Sequence, residues 1–289
     1  MISIVICSIN AEKLKKVSEN ITETIGVPFE ILSENNLEKK AGLCEVYNSL
    51  AANASFPFLC FLHEDVVFQK KGWGKVLIEL LNDYQIGLVG HAGCVYKSQY
   101  PGNWSSALSQ LYRDRNFQEK HTIEISGNHA EVTVIDGFFM ACRKQVWAEF
   151  RFDDQFLKSF HGYDIDFSLA IGLKYKVLVT YEIAMIHLSK GNMNQQWLVD
   201  SIRVHEKWKH SLPRNTIQIC DDEKTISDYI SLQCIMNVGL KDKVNYLLVI
   251  TTYCRLLFRY FKYNRFSYSK KVIRYLFHTI RGRNTIKLS

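Results

Sequence analysis

The stretch FLCFLHEDVVF, residues 58–68, joins a wholly apolar run to an abrupt acidic end. An apolar run of strand length without alternation predicts a strand covered on both faces, as in a largely parallel sheet. A carboxylate that closes such a strand is costly unless a cation balances it. Glu64 and Asp65 therefore point to a metal ion or a salt bridge, although an acidic residue at a strand end is also common without a metal.

The segments on either side alternate between strand and helix patterns. Strand patterns cover residues 2–7, 29–32 and 86–90, and helical spacing covers residues 11–24, 38–54 and 73–83. This alternation predicts an α/β protein with a mixed, mostly parallel sheet flanked by helices. Ligands of such sheets bind beyond the carboxyl ends of the strands, so the polar residues that follow each strand are the first candidates for a site.

Composition places the chain among ordered globular proteins. It has 289 residues, 47% of them hydrophobic, which is enough for one large or two small cores. Eight cysteines occur without a C-x-x-C pair, and the start MISIVICSIN lacks the basic region of a signal peptide. We expect a reducing, cytoplasmic compartment. Apolar runs also stay below the roughly 18 to 20 residues that a membrane-spanning helix needs.

The net charge of +7 is concentrated at one end of the chain. Residues 241–289 contain twelve Lys and Arg against Asp242 alone, which leaves the first 240 residues with a net charge of −4. Beyond Pro213 the composition shifts to basic, aromatic-rich helical patterns. We therefore predict a catalytic domain at 1–212 and a helical extension at 213–289.

The basic and apolar residues of 241–289 alternate at spacings that separate them on helix faces. Such helices suit an anionic membrane surface, which predicts a peripheral position at the inner face of a membrane. Alternatively, the extension packs on the catalytic domain or on a second subunit, as in a homo-oligomer. Nucleic acid is the least favoured partner, because the acidic first 240 residues would repel a phosphate backbone.

Two further segments carry groups that could act in catalysis. In HGYDIDF, Asp164 and Asp166 begin a helix, where the helix dipole alone can account for one carboxylate. A second carboxylate there could accept a proton from a hydroxyl group as a general base. His187 ends the strand pattern of EIAMIH, and an imidazole at that point is either a ligand for Mn²⁺ or a similar ion, or a hydrogen-bonded structural residue.

The order of these motifs resembles family 2 glycosyltransferases and their relatives. The likeness spans residues 2–210, through SIN, SENN, GLCEVYN, HED, DGFFM, GYDIDF and the final strand with its histidine. It is greatest to a bacterial subgroup in which a His-x-Asp form replaces the DXD motif and a Gly-Trp helix start, here Gly72-Trp73, follows. The resemblance implies a GT-A fold, a nucleotide-diphosphate sugar as donor, and a divalent metal, Mn²⁺ or Mg²⁺.

The resemblance also implies a role for individual residues. Asp164 matches the general base, Asp65 and His187 match metal ligands, and Tyr163 stands where a glutamate often precedes the base, with Asp166 also near the acceptor. The remaining positions would contact the donor: Ser8 and Asn10 at the base and ribose, Glu34 at the nucleoside, Gly42 and Asn48 behind the nucleotide, His63 at the ribose, and Asp136 between donor sugar and acceptor. Glu64 is expected to turn away, as strand alternation requires.

The predicted function is an inverting transfer of a sugar, with a UDP-sugar as the expected donor, to a glycan or lipid-linked acceptor in bacterial surface polysaccharide assembly. Two alternatives stay open. One is a catalytically silent protein that binds nucleotide sugars. The other is a metal-dependent nucleotidyltransferase or phosphohydrolase, for which a Gly-rich phosphate loop or clustered carboxylates would be expected. The choice of substrates is expected to lie in residues 93–135 and 150–163.

Overall fold

The computed structural model describes residues 1–105, 110–113, 119–121, 127–189, 191–264 and 268–280. It forms two compact units, one of Met1–Val95 with Ser109–Gly191 and one of Tyr96–Leu108 with Asn192–Ser289. The predicted boundary after residue 212 falls within the second unit, since Trp197 and Leu198 belong to that unit's apolar core. As a limit of the catalytic part, that boundary stays a prediction.

The strands are, in chain order, β1 (Ile2–Ser8), β2 (Phe29–Asn35), β3 (Phe58–Leu62), β4 (Val66–Phe68), β5 (Ile86–Gly90), β6 (Gly93–Cys94), β7 (Tyr96–Lys97), β8 (Gln110–Arg113), β9 (Glu119–His121), β10 (His129–Glu131), β11 (Val134–Ile135), β12 (Phe139–Arg143), β13 (Lys176–Thr180), β14 (Met185–His187) and β15 (Arg214–Asn215). The helices are α1 (Ala11–Thr24), α2 (Leu43–Ala52), α3 (Trp73–Asn82), α4 (Lys144–Phe150), α5 (Tyr163–Ile171), α6 (Gln195–Trp208), α7 (Asp221–Lys241), α8 (Tyr246–Cys254), α9 (Phe261–Asn264) and α10 (Ser269–Ile280), with a π-helical turn at Arg255–Arg259.

The first unit is built on a seven-stranded sheet in the order β10-β13-β5-β12-β3-β1-β2. Strands β2, β1, β3, β5 and β13 run in one direction, and β12 and β10 run against them. The sheet is therefore mixed and mostly parallel with helices around it, which confirms the predicted fold class. Because β1, β2 and β3 are parallel neighbours, the residues that follow them meet at one edge.

The core of this unit follows the apolar patterns of the sequence. All five residues of β3 are buried, as expected for a strand covered on both faces. Helix α1 begins at the cap Asn10 and buries Val17 and Ile21 against the sheet. Helix α2 begins at Leu43, later than the predicted residue 38, because Lys40 adopts φ 50°, a left-handed conformation that interrupts a right-handed helix.

Two smaller sheets complete the first unit. The antiparallel set β11-β6-β8-β9 lies within residues 93–135, and β14 pairs with β4 in a short antiparallel ribbon. The strand pattern that the sequence suggests at 121–126 lies mostly outside the described residues, as do parts of the predicted substrate loop 93–135, namely 106–109, 114–118 and 122–126.

The second unit is helical. Helices α6, α7, α8 and α10 enclose an apolar core that includes Leu198, Leu232, Met236 and Val272, and β7 pairs with β15. Over the described ranges, none of the helices has the length and apolar character needed to cross a membrane. All eight cysteines are free thiols.

Candidate active site

Asp65 and His187 meet through the ribbon of β4 and β14. The register sets His187 opposite Val66, the residue after Asp65, and the amide of Leu188 donates to the Asp65 carbonyl at 3.0 Å. His187 Nε2 consequently lies 3.2 Å from Asp65 Oδ1. His63 lies two residues before Asp65, and its ring centre is 5.4 Å from that of His187. The structure thus brings together three predicted site residues that lie up to 124 positions apart in the chain.

These three side chains are suited to a divalent ion. One potential ligand atom from each of His63, Asp65 and His187 lies within 4.8 Å of the other two. Carboxylate oxygen and neutral imidazole nitrogen together suit Mn²⁺ and similar ions, and three protein ligands leave positions open for a substrate. The residues present therefore fit the metal that the family resemblance implies.

The electrostatics keep both ligand types in the protonation state that a metal requires. Burial, helped by nearby His187, lowers the pKa of His63 to about 4, so this imidazole is neutral at pH 7. Burial alone would raise the pKa of Asp65, but the hydrogen bond and charge of His187 outweigh it and lower that pKa to about 2. His63 and Asp65 can therefore bind a cation without first losing a proton.

Tyr163 connects this cluster to the predicted base. Gly162 adopts φ 82°, a left-handed conformation, and α5 begins directly after it. The Tyr163 hydroxyl hydrogen-bonds His63 Nε2 at 2.8 Å. Its ring packs so closely on Gly137 that a Cβ there would lie 2.1 Å from the hydroxyl oxygen. A ligating histidine commonly uses one ring nitrogen for a bond of this kind, which fixes the orientation of the ring.

Asp164 follows Tyr163 and is held beside Asp136. Its Oδ1 accepts a hydrogen bond from the Ile165 amide at 2.9 Å. Burial and the carboxylate of Asp136 nevertheless raise the pKa of Asp164 to about 7. A carboxylate with such a pKa can take and release a proton near neutral pH, which is what a general base must do. Asp166, two residues later in the first turn of α5, is buried.

Glu64 does not turn away as expected. Its Oε2 accepts hydrogen bonds from Ser8 Oγ at 2.5 Å and from the amides of Ile9 and Asn10 at 3.1 Å each. The reason is that β3 ends at Leu62, so strand alternation no longer sets the direction of the side chain. Glu64 therefore ties the loop after β1 to the loop after β3, and Ser8 and Asn10 are positioned by it.

Three other residues predicted to contact the donor, Glu34, Gly42 and Asn48, have different surroundings. Glu34, near the end of β2, pairs with Lys39 at 2.8 Å. Gly42 caps α2, where a Cβ would lie 2.8 Å from the backbone of Lys158. Asn48 is buried, and its amide bonds Phe152 and Asp154. Asn48 thus holds the segment 152–154 against α2, while Glu34 lies on β2, the edge strand of the sheet.

Two residues beside the candidate metal site were not singled out from the sequence. Lys13 Nζ lies 3.9 Å from Asp65 Oδ2, in the first turn of α1, where the helix dipole disfavours a cation. The Phe138 ring stacks on His187 with centres 4.6 Å apart and an interplanar angle of 15°. The sequence offered a sign of Lys13, because a lysine is unfavourable in the first turn of a helix. It offered none of Phe138 beyond its position in DGFFM.

Comparisons with known proteins identify a family and a fold for this chain. Residues 3–212 match the model of a glycosyltransferase-like family. A similar solved structure is GalNAc-T7, crystallised with UDP, GalNAc and Mn²⁺, with 13% identity, a TM-score of 0.52, and coverage of 73% of this chain and 49% of that one. This chain thus spans about half the length of GalNAc-T7. The likeness in fold agrees with the predicted GT-A architecture.

Two other solved structures are more distant. The mannosyltransferase PcManGT from Pyrobaculum calidifontis, in complex with GDP-Man and Mn²⁺, has 9% identity and a TM-score of 0.45 over 98% of this chain and 88% of that one. S. aureus TarS has 12% identity and a TM-score of 0.46 over 82% and 43%. Among curated proteins, none matches this sequence. Because the family model covers more than half of the chain, this protein belongs to the glycosyltransferase-like family, with a GT-A fold and a candidate metal-binding triad.

Proposed function

We propose that this protein transfers a sugar from a nucleoside diphosphate donor, with UDP as the nucleotide, to a hydroxyl group of an acceptor, with inversion at the anomeric carbon. The observation that carries the proposal is the link between two groups of residues. A metal-suited cluster of His63, Asp65 and His187 is connected through Tyr163 to Asp164, a carboxylate with a raised pKa.

Asp65 and His187 would hold the ion, with His63 beside them toward the ribose. When bound, a divalent ion supplies Lewis-acid stabilisation of the charge that develops on the leaving diphosphate. Lys13, next to Asp65, is placed to add a second positive charge near the phosphates. That role would explain a lysine in the first turn of a helix, where a cation is otherwise unfavourable.

Asp164 would act as the base. It would accept the proton of the acceptor hydroxyl while that oxygen forms a bond to the anomeric carbon. The bond from that carbon to the phosphate oxygen breaks at the same time, and its electron pair leaves with the nucleoside diphosphate. Attack on the face opposite the leaving group inverts the configuration. Asp136 keeps the pKa of Asp164 high enough for the carboxylate to hold the proton, and would border the donor sugar and the acceptor.

The choice of donor rests on family and fold. GalNAc-T7, which shares the fold, was crystallised with UDP, GalNAc and Mn²⁺, and this supports UDP-sugars and Mn²⁺ as the first ligands to test. For the acceptor we propose a glycan or a lipid-linked glycan of bacterial surface polysaccharide. The basic segment 241–289 supports a place at the inner face of a membrane, where such acceptors are assembled.

Turnover of radiolabelled UDP-sugars tests the proposal. The full chain should release UDP from at least one donor only when Mn²⁺ or Mg²⁺ is present. The Asp65→Asn variant should bind Mn²⁺ more weakly by over about 100-fold, since even groups outside the ligand set change metal affinity about 10- to 100-fold. Titration calorimetry with Mn²⁺ alone measures this affinity. Asp83→Asn, at an exposed carboxylate after α3, is the matched control and should behave as wild type.

Three results would contradict the proposal. Donor binding without hydrolysis or transfer for any nucleotide sugar would identify a silent binding protein. Release of monophosphate or pyrophosphate in place of UDP would identify a phosphohydrolase or nucleotidyltransferase. A product that retains the anomeric configuration would rule out direct attack assisted by Asp164.

A further inference from the structure

The outer face of α10 presents an unusual mixture of side chains to solvent. Lys270, Ile273, Arg274 and Phe277 stand at positions i, i+3, i+4 and i+7, which lie on one side of an α-helix. We call these four residues the basic–apolar stripe. All four are exposed; Ile273 is 67% and Phe277 51% accessible. A solvent-facing stripe would ordinarily be polar throughout, so the two large apolar side chains need an explanation.

The orientation of this stripe is fixed by the opposite side of the helix. Tyr268, Val272 and Tyr275 are buried in the core of the second unit. The Tyr275 hydroxyl donates to the carbonyl of Val244, and the hydroxyl groups of Ser269 and Tyr253 hydrogen-bond at 2.7 Å. The helix therefore cannot turn its apolar outer residues inward without breaking these contacts. Their exposure is a property of the folded unit.

Apolar exposure is concentrated in this part of the chain. Six of the fourteen large apolar side chains exposed among the described residues lie between positions 246 and 277, and Phe258, at 81%, is the most exposed of them. Phe258 belongs to the π-helical turn, and Phe261 is exposed three residues later. The sequence contains no Asp or Glu after Asp242, whereas Lys and Arg recur to its end. This part of the chain is therefore both basic and rich in exposed apolar side chains.

We propose that the basic–apolar stripe docks on an anionic lipid surface. Cationic side chains next to exposed aliphatic and aromatic ones are complementary to negatively charged headgroups over hydrocarbon. A nucleic acid would match the cations, but Ile273 has no π-face on which a base could stack. A second copy of the chain would bury the apolar residues, but a two-fold contact would set like charges against each other without compensation.

This inference rests on the proposed function, because a lipid-linked acceptor gives the enzyme a reason to be at a membrane. It adds to that function the surface that would bind the membrane. Docking through α10 would hold the second unit on the headgroups and keep the full chain at the surface where its acceptor is located. The stripe contains none of the residues assigned to metal, donor or base, so docking and sugar transfer can be measured separately.

Cosedimentation of the full chain with lipid vesicles tests the proposal. One set of vesicles contains equal parts of phosphatidylcholine and phosphatidylglycerol, and the other contains phosphatidylcholine alone. We expect binding to the anionic vesicles only, weakened by added salt. The Lys270→Gln and Arg274→Gln variants should each bind about fivefold more weakly, the equivalent of about 1 kcal/mol per cation at the surface.

The apolar contribution has a closely matched control. Ile273→Ser should reduce binding, and Ile273→Ser combined with Phe277→Ser should reduce it further, by about tenfold or more. Leu173→Ser removes an aliphatic side chain of nearly equal exposure, 64%, from the first unit and should bind as wild type. Circular dichroism checks that each variant is folded. UDP release in the absence of vesicles should be equal in all of them, which separates docking from the proposed transfer.

Several outcomes would overturn the inference. Equal binding to neutral and anionic vesicles, or no binding to either, would remove the lipid surface as the occupant. Unchanged vesicle binding in the stripe variants would place docking elsewhere. Binding of single-stranded RNA without vesicle binding would identify nucleic acid, and a dimer in sedimentation velocity that Phe277→Ser dissociates would identify a second copy. If the wild-type chain binds anionic vesicles but releases no UDP, the proposed function fails and the docking inference stands.

Discussion

Each unit of this protein contains a carboxylate of special interest, Asp164 half-buried in the first and Asp228 buried in the second, and the two are held in opposite ways. Asp228 on α7 accepts hydrogen bonds from four side chains, those of Tyr96, Ser98, Gln99 and Tyr260. Asp164 on α5 accepts backbone hydrogen bonds but lies beside a second carboxylate, Asp136, and its pKa is raised to about 7.

The difference supports the proposed assignment of the base to Asp164. The donors around Asp228 satisfy both of its oxygens and lock the segment 96–100 to α7, so this carboxylate contributes to stability. The surroundings of Asp164 favour its protonated form, which costs stability when the carboxylate is ionised and fits the proposed role as base. Functional sites commonly contain charged groups that are not fully stabilised by hydrogen bonds or opposite charges.

The largest expected effect separates the two carboxylates by activity. Asp164→Asn should lower kcat for sugar transfer by about 10²- to 10⁴-fold, the usual contribution of a general base, with donor affinity unchanged. Asp228→Asn, assayed at a temperature where it is folded, should keep wild-type kcat. Single-turnover assays with labelled donor measure both. Equal losses in the two variants would show that Asp164 also acts through the fold alone.

The pH profile sharpens the assignment of Asp164. Because the base must be ionised, kcat/KM should rise about tenfold per pH unit up to about pH 7 and then level off. Asp136→Asn should move this inflection to lower pH, since the Asp136 charge helps to raise the pKa of Asp164. Initial rates across the range from about pH 5 to about pH 8.5 test this prediction. An inflection that Asp136→Asn leaves in place would assign it to another group.

For the free energy of unfolding, we expect the loss in the Asp228 variant and not in the Asp164 variant. Asp228→Asn keeps one carbonyl oxygen but leaves the Gln99 and Tyr260 donors without an acceptor. Gln99 is exposed and can turn to water, but Tyr260 is buried, and a buried group left unpaired costs about 1 to 3 kcal/mol, so we expect the free energy of unfolding to fall by about that amount. Urea unfolding followed by tryptophan fluorescence measures the change. Asp222→Asn, an exposed carboxylate on the same helix, should change stability by less than about 0.5 kcal/mol.

A last expected effect, opposite in sign to that of Asp228→Asn, is a gain in stability for Asp164→Asn. The folded protein raises the pKa of Asp164 from 3.8 to about 7, so the folded state binds this proton more tightly than the unfolded state does. The stability that the bound proton supplies is complete below the unfolded pKa and is lost as pH rises through about 7. An amide carries no charge and avoids this loss. The Tm of the variant should exceed that of wild type above neutral pH, with the gap widening between about pH 4 and about pH 7. A constant gap across this range would contradict the prediction.

Much of the first unit could be predicted from its sequence. The unbroken apolar run before His63 can satisfy its backbone and bury its side chains only as an internal strand, and β3 is one. Asn10 before an amphipathic segment predicts the start of α1, and the structure begins the helix at Ala11. These features depend on residues close together in the chain, which is why periodicity reveals them.

The details of the candidate site could not be predicted in the same way. Glu64 follows the end of β3, so its direction is set by the amides of Ile9 and Asn10, more than fifty residues away. Asp228 gave no signal because most of its donors lie about 130 residues earlier. Lys13 reaches Asp65 only because α1 packs against β4, which begins directly after Asp65.

The sequence by itself determined the longer strands, most helices and the types of chemical group available at the sheet edge, because these follow from local spacing and polarity. Only the tertiary structure decided which of those groups meet. The three-residue strand β4 is too short to carry a pattern of its own, yet its pairing with β14 sets His187 against Asp65. Such contacts depend on packing between distant segments, and so do the pKa of Asp164 and the exposure of the stripe on α10.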